Sequence, residues 1–163
     1  MCIRDSSWQG RKTYPDDHLR SFSLDYFGEL FTINQVNFIS LQKGFGSEQI
    51  SNFKYKNKLI DFSDEMDNGD NVFEDTIAIM QNLDLVISCD TCIPHISSTL
   101  GIKTWLMSNY SPEWRCSFMT KEFSFYSSLK IYRAEEINKW DSVISLLKKD
   151  LVAYLENSKH NIS

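Results

Sequence analysis

The run Asp84-Leu85-Val86-Ile87-Ser88 constrains the fold of this chain more than any other feature. It is short, β-branched and nearly continuously apolar, so it has no polar face to turn to water. Such a run reads as a parallel strand buried on both sides. A parallel neighbour requires a crossover connection, usually a helix, and the next residues supply one. Thr91 can cap a helix, and Pro94 falls inside its first turn, where a missing N–H costs little. Gly101 is the expected stop, and Lys103-Thr104-Trp105-Leu106-Met107 is the next strand.

The same alternation extends in both directions. Ser23 is a plausible N-cap for a helix over residues 24–31, with Leu24, Phe27, Leu30 and Phe31 at helical spacing and Asp25 at the positive end of the dipole. Val36 to Leu41 reads as a strand, followed by the glycine-bearing turn Gln42-Lys43-Gly44-Phe45-Gly46. A short helix over 47–53, a weak strand over 59–62 and an acidic loop over 64–71 come next. Residues 73–83 place Phe73, Ile77, Met80 and Leu83 near one helical face. Leu129-Lys130-Ile131-Tyr132 is the last strand, and residues 140–155 form a closing amphipathic helix through Val143, Leu146, Leu147 and Leu151. Residues 11–20 read as a loop, and 108–128 are aromatic without a clear period. Alternating strands and helices predict an α/β fold on a parallel sheet. There is no internal repeat and no low-complexity linker, so residues 7–157 are expected to form one domain, with a tail over 158–163.

Composition narrows the function classes. With 163 residues and 42% hydrophobic content, the chain can bury one good core but not two α/β domains. The net charge is −5, and no Lys/Arg cluster sits on an aromatic-bearing stretch, which argues against a nucleic-acid partner. No apolar run approaches the roughly 18 residues of a membrane span. No apolar h-region follows the N-terminus, so the cytosol is the expected compartment. Four cysteines (Cys2, Cys89, Cys92 and Cys116) do not make a disulfide framework in a chain this long. The opening residues Met1-Cys2-Ile3-Arg4-Asp5-Ser6 read as a non-native leader, of the kind produced by adapter read-through, or else as a frayed terminus. The chain is accordingly expected to begin partway through a longer protein.

In a doubly wound sheet, ligands bind beyond the carboxyl ends of the strands, where strand order reverses. The best-defined turn of that type is Ser88-Cys89-Asp90-Thr91-Cys92-Ile93-Pro94-His95. It offers a carboxylate, a hydroxyl, unpaired backbone N–H groups and an imidazole, a set that suits a phosphate. Asp90 and Thr91 are equally consistent with helix capping, and His95 with a structural histidine. Cys89-x-x-Cys92 has the spacing of a thiol-disulfide site, or is a pair of small buried side chains. A zinc site would need a second pair or nearby histidines, which the spacing does not offer. The aromatic residues Trp105, Tyr110, Trp114, Phe118, Phe123, Phe125 and Tyr126 can stack on a base or sugar, or can simply pack.

Several segments together carry a resemblance. Leu83 to Thr91, His95 and Leu100-Gly101-Ile102-Lys103-Thr104-Trp105-Leu106 are similar to the donor-site region of glycosyltransferase family 9, which includes the ADP-heptose:lipopolysaccharide heptosyltransferases. Trp8-Gln9-Gly10, Asp17-His18-Leu19-Arg20-Ser21, Ser40-Leu41-Gln42-Lys43-Gly44 and Pro112-Glu113-Trp114-Arg115 resemble, in the same order, segments of the relatives often fused to tetratricopeptide repeats. The resemblance covers about residues 8 to 150. It implies a Rossmann-like parallel sheet with helices on both faces, forming the C-terminal, donor-binding half of a GT-B glycosyltransferase. It implies that Asp90 contacts the donor sugar or its phosphate, that Thr91 and the following N–H groups cradle the pyrophosphate, and that His95 lies beside it. Arg20 would face the phosphates, where a guanidinium can hold two oxygens at once. Gln9 and Gly10 would line the first strand-to-loop turn. Lys43 would reach the nucleotide or remain a solvated surface lysine, and Arg115 has the same two readings. Relatives usually carry small apolar residues where this chain has Cys89 and Cys92. The implied reaction transfers a sugar from a nucleotide diphosphate sugar without a cofactor or metal. Its general base is expected in an N-terminal acceptor-binding half, so this chain alone is expected to be inactive. A non-catalytic nucleotide-sugar-binding module and a thiol-disulfide protein are the rival readings.

Overall fold

The structure is a computed structural model, and it describes residues 7–110 and 126–160. Leu59–Asp61 (β2) pairs in parallel with Phe38–Ser40 (β1), and Val86–Cys89 (β3), Thr104–Ser108 (β4) and Leu129–Arg133 (β5) form a parallel sheet in that order. The register sets Val86 against Thr104 and Thr104 against Leu129. β3 and β4 are buried at every position, as a parallel strand covered on both faces must be.

Alternation along these strands divides the core. Leu85, Ile87, Cys89, Trp105, Met107 and Tyr132 point to one face. There they meet Asp141–His160 (α4) through Val143, Ile144, Leu147 and Leu151, and the helix Leu24–Thr32 through Leu24, Phe27, Leu30 and Phe31. Val86 points to the other face and packs with Met80 of Glu74–Met80 (α2) and Ile93 of Ile93–Thr99 (α3). The chain is therefore mixed α/β with parallel strands and helices on both faces. α4 is also tied to β5 by polar contacts. The Tyr132 hydroxyl and the Lys130 ammonium both donate to Asp150 Oδ2, at 2.8 and 2.6 Å. Partial desolvation works to raise the Asp150 carboxyl, but these two donors hold it below its ordinary value.

A single segment joins the two sheets. Ser7 bridges Ser88 in parallel, and the Cys89 amide donates to the Ser7 carbonyl at 2.8 Å. On its other side the segment meets Gln42, two residues past β1. Gln42 Oε1 accepts from Ser7 Oγ and from the amides of Trp8 and Gln9, each at 3.1 Å. Gln42 Nε2 donates to the carbonyls of Gln9 and Phe45, at 3.1 and 2.7 Å. One side-chain amide thus replaces a run of ladder bonds. From Ser7 the chain reaches β1 and β2 on one side, and β3, β4 and β5 on the other. This is the reversal of strand order that opens a crevice in such sheets.

Some elements differ from expectation. Leu24–Thr32 is a 3₁₀ helix, not an α-helix, although Ser23 caps it as expected by accepting from the Asp25 amide at 3.3 Å. Gly28 sits mid-helix against the Tyr55 ring, and a cluster of large aromatic side chains decides the local geometry. Residues 11–20 are not all loop, because Asp17–Arg20 (α1) forms one helical turn around the buried Asp17. α4 continues to His160, into the stretch read as a tail. Phe73 does not enter α2 but precedes it in the left-handed region, with φ of 67°. It leaves the first turn of α2 without a local cap. Asp67 supplies one from a distance, its carboxylate accepting from the Asp75 and Thr76 amides at 2.9 and 3.3 Å. Among the described residues no helix is long and apolar enough to cross a membrane.

Candidate functional site

A cleft of about 1090 Å³ opens beyond the carboxyl ends of β1, β3 and the Ser7 segment. Gln9, Gly10, Arg20, Lys43, Asp90, Thr91 and His95, the residues singled out from sequence, all line it. They come from four separate stretches of chain and meet here because the strand order reverses at Ser7. Arg115 and the aromatic residues Trp114, Phe118, Phe123 and Phe125 lie outside the described residues.

The polar floor is fixed by the fold. Trp8 is fully buried, and its indole N–H donates to the Gly46 carbonyl at 3.1 Å. Gly46 has φ of 100°, and a Cβ there would stand 2.6 Å from Gln9 Cβ, so a side chain is excluded twice. Gln9 Nε2 donates to Asp17 Oδ2 at 3.0 Å. Arg20 Nε donates to Asp17 Oδ1 at 3.2 Å, and its Nη1 donates to the Asp90 carbonyl at 3.0 Å. The guanidinium lies 4.1 Å from the centre of the Tyr14 ring. Asp17 forms this ion pair while almost fully buried.

Gly10 is the tightest point of the site. Its amide donates to Ser21 Oγ at 2.8 Å. A Cβ on Gly10 would fall 2.1 Å from Asp17 Oδ1 and 2.7 Å from Arg20 Nη2. Gly10→Ala should therefore push the Asp17–Arg20 pair apart. The expected result is a loss of about 1–3 kcal/mol in chemical denaturation, the range for disturbing a buried, charged hydrogen-bonded pair. An unchanged midpoint would mean that the pair moves aside at no cost.

Two expectations need correction. Thr91 is not the N-cap of α3. That position is Cys92, and Thr91 Oγ1 accepts from the Ile93 amide at 3.3 Å from one residue earlier. Pro94 does lie within the first turn. Cys89 is fully buried in the core, as the packing reading requires, but Cys92 is exposed and lines the cleft. The two side chains lie in different surroundings, one buried and one exposed. Partial burial pushes the Cys92 thiol above its usual pKa, while Arg20 pulls the other way. A raised thiol pKa is the opposite of what a redox nucleophile needs.

Lys43 lines the cleft, but its ammonium is occupied. It donates to the carbonyls of Met66 and Asp67 and to Asn68 Oδ1, which uses its three donors and anchors the loop that caps α2. Arg11 and Lys12 also line the cleft, and Lys12 Nζ stands 5.3 Å from the centre of the Phe45 ring. Sequence reasoning passed over both because they lay in a stretch read as an undifferentiated loop.

The electrostatic balance of the cleft is the reverse of the whole chain. The chain carries a net charge of −5, yet among the described residues Arg11, Lys12, Arg20 and Lys43 line this cleft against one carboxylate, Asp90. α3 has only seven residues, so its dipole is short and the cationic side chains must supply most of the pull on an anion. Apolar and aromatic side chains line the cleft as well: Leu41, Ile93 and Ile96, which belong to one packed cluster, with Phe45, Phe73 and Tyr126. The His95 and Tyr126 rings lie 5.8 Å apart. Among the described residues no cluster of three His, Cys, Asp or Glu side chains is placed to hold a metal ion. No family model, curated protein or solved structure matches this chain.

Proposed function

We propose that this chain is the nucleotide-sugar-binding domain of a glycosyltransferase, with a Rossmann-like sheet of the GT-B type. The observation that carries this reading is the cleft itself. Four cationic side chains, two of them already bonded within the protein, line it in an acidic chain, beyond the carboxyl ends of parallel strands and beside apolar and aromatic residues. Arg20 would take the diphosphate. Asp90, held at the mouth of β3, would accept from a sugar hydroxyl. His95 would lie beside the phosphates. Lys43 would act by holding the residue 66–68 loop in place. Without a cofactor, the chemical work is to stabilise a leaving diphosphate, and positive groups set before the reaction do this at no reorganisation cost. The base that activates the acceptor would come from another domain.

Titration with UDP, ADP and GDP followed by backbone chemical shifts tests the reading. The largest changes are expected in residues 88–98 and around Gly10 and Arg20. Changes centred elsewhere would sink it. A donor panel with a suitable acceptor tests the division of labour. The chain alone should release no nucleoside diphosphate, and robust acceptor-dependent transfer would place the base among these residues.

A further inference from the structure

Asp17 is only 6% exposed, and it is not among the residues lining the cleft. A carboxylate in such a place is costly unless it is paired and hydrogen-bonded. Its partners are both cleft residues. Oδ1 accepts from Arg20 Nε and Oδ2 accepts from Gln9 Nε2, at 3.2 and 3.0 Å. These two partners belong to different segments, Gln9 two residues after the Ser7 bridge and Arg20 at the end of α1. The guanidinium is enclosed on its other sides as well. Nη1 is fixed on the Asp90 carbonyl, the Tyr14 ring covers one face, and Gly10 packs so closely that a Cβ would touch Nη2. The bonds to Asp17 and Asp90 engage Nε and Nη1, and Nη2 takes part in neither.

We propose that Asp17 is the positioning residue of the cleft. It holds Arg20 and Gln9 in the orientation in which they meet a diphosphate, and it does not touch the ligand itself. The inference rests on the nucleotide-sugar reading above. An arginine side chain left to itself loses much rotamer freedom when it grips a phosphate. Here that ordering is completed when the chain folds, so the ligand meets a guanidinium already aimed.

A sign distinguishes this role from a simple charge effect. Asp17 is an anion near an anion site, so removing its charge should tighten phosphate binding if Coulomb attraction were all that mattered. Salt screens a nearly buried carboxylate little over so short a distance. That gain therefore opposes the loss of orientation, and the direction of the change tells the two roles apart. Lost orientation should win, and Asp17→Asn should bind diphosphates roughly tenfold more weakly.

The test is calorimetric titration of the whole chain at about 0.15 M salt, using UDP, ADP, GDP, inorganic pyrophosphate, uridine and adenosine. The proteins are wild type, Asp17→Asn, Arg20→Ala, the double variant and Arg20→Lys. Asp17→Asn is expected to weaken the diphosphates and pyrophosphate, leave the nucleosides unchanged, and add little in the Arg20→Ala background. Tighter or unchanged binding by Asp17→Asn overturns the inference, as does an equal loss for nucleosides or an equal loss without Arg20. Should Asp17→Asn not fold, Arg20→Lys decides the matter. It keeps the charge but lacks the Nε and Nη1 bonds, so it should bind as poorly as Arg20→Ala. Binding at the wild-type level by Arg20→Lys overturns the inference. If the wild type binds none of the probes, the nucleotide reading fails and takes this inference with it. Wild-type binding that the variants leave intact fails the inference alone.

Discussion

Gln42→Leu should destabilise the chain by about 3–5 kcal/mol, because one substitution orphans several buried groups at about 1–3 kcal/mol each, softened by water at the open end of the cleft. The shape of the residue is nearly kept, so little of the loss comes from packing. Ser7 Oγ and the amides of Trp8 and Gln9 lose their acceptor, while the Gln9 and Phe45 carbonyls lose their donor. Thermal melting should fall by roughly 10 °C in a domain of this size. Ligand binding should fall too, since Gln9 and the floor of the cleft hang from the same amide. A variant that melts like the wild type would show that the two sheets hold together without this bridge.

Trp140→Ala should be comparably damaging, by about 3–5 kcal/mol, but for the opposite physical reason. Trp140 is 1% exposed and makes its main contact with Phe22, at 4.9 Å between rings. Phe22 in turn meets Phe27 edge-on at 5.2 Å, and its amide donates to the Trp8 carbonyl at 3.0 Å. The indole therefore keys the start of α4 into the 3₁₀ helix and the base of the central strand. Removing it leaves a cavity that rigid neighbours cannot fill. Trp140 does not line the cleft, so nucleotide affinity measured well below the melting temperature should stay within about twofold of wild type. Chemical denaturation combined with titration at low temperature separates the two variants. A stability loss below 1 kcal/mol for Trp140→Ala would mean that α4 is held mainly by Leu147, Leu151 and the Asp150 contacts.

The strands were readable because a parallel strand buried on both faces leaves a nearly continuous apolar run, as in residues 84–88, but their order in the sheet was not. Part of the cleft was readable for a related reason. Knowing where a strand ends located the turn that carries Asp90, whereas Gln9 and Arg20 were singled out only by resemblance, since their own stretch reads as loop. Gln42 was visible only as part of a turn. Its importance lies in bonds to residues 33 to 35 positions away, and local periodicity carries no signal of such a relation. The 3₁₀ form of Leu24–Thr32 was hidden because the two helix types place apolar residues at similar spacing over so short a length. The left-handed Phe73 ran against the usual preference of bulky residues, so the helix was drawn one residue too early. Cys92 was read, with Cys89, as a small buried side chain because free cysteine is usually buried, but it is exposed and lines the cleft.

The bridge between Ser7 and Ser88 bears on the order in which the molecule assembles. The Ser7 segment must wait for a backbone partner 81 positions away, whereas the Gln42 amide lies only 35 positions from Ser7. Closing the shorter loop costs about 0.7 kcal/mol less chain entropy. During synthesis Gln42 is also made long before β3. Gln42 can therefore hold the Ser7 segment beside β1 before Ser88, which binds the opposite side of that segment, is in place.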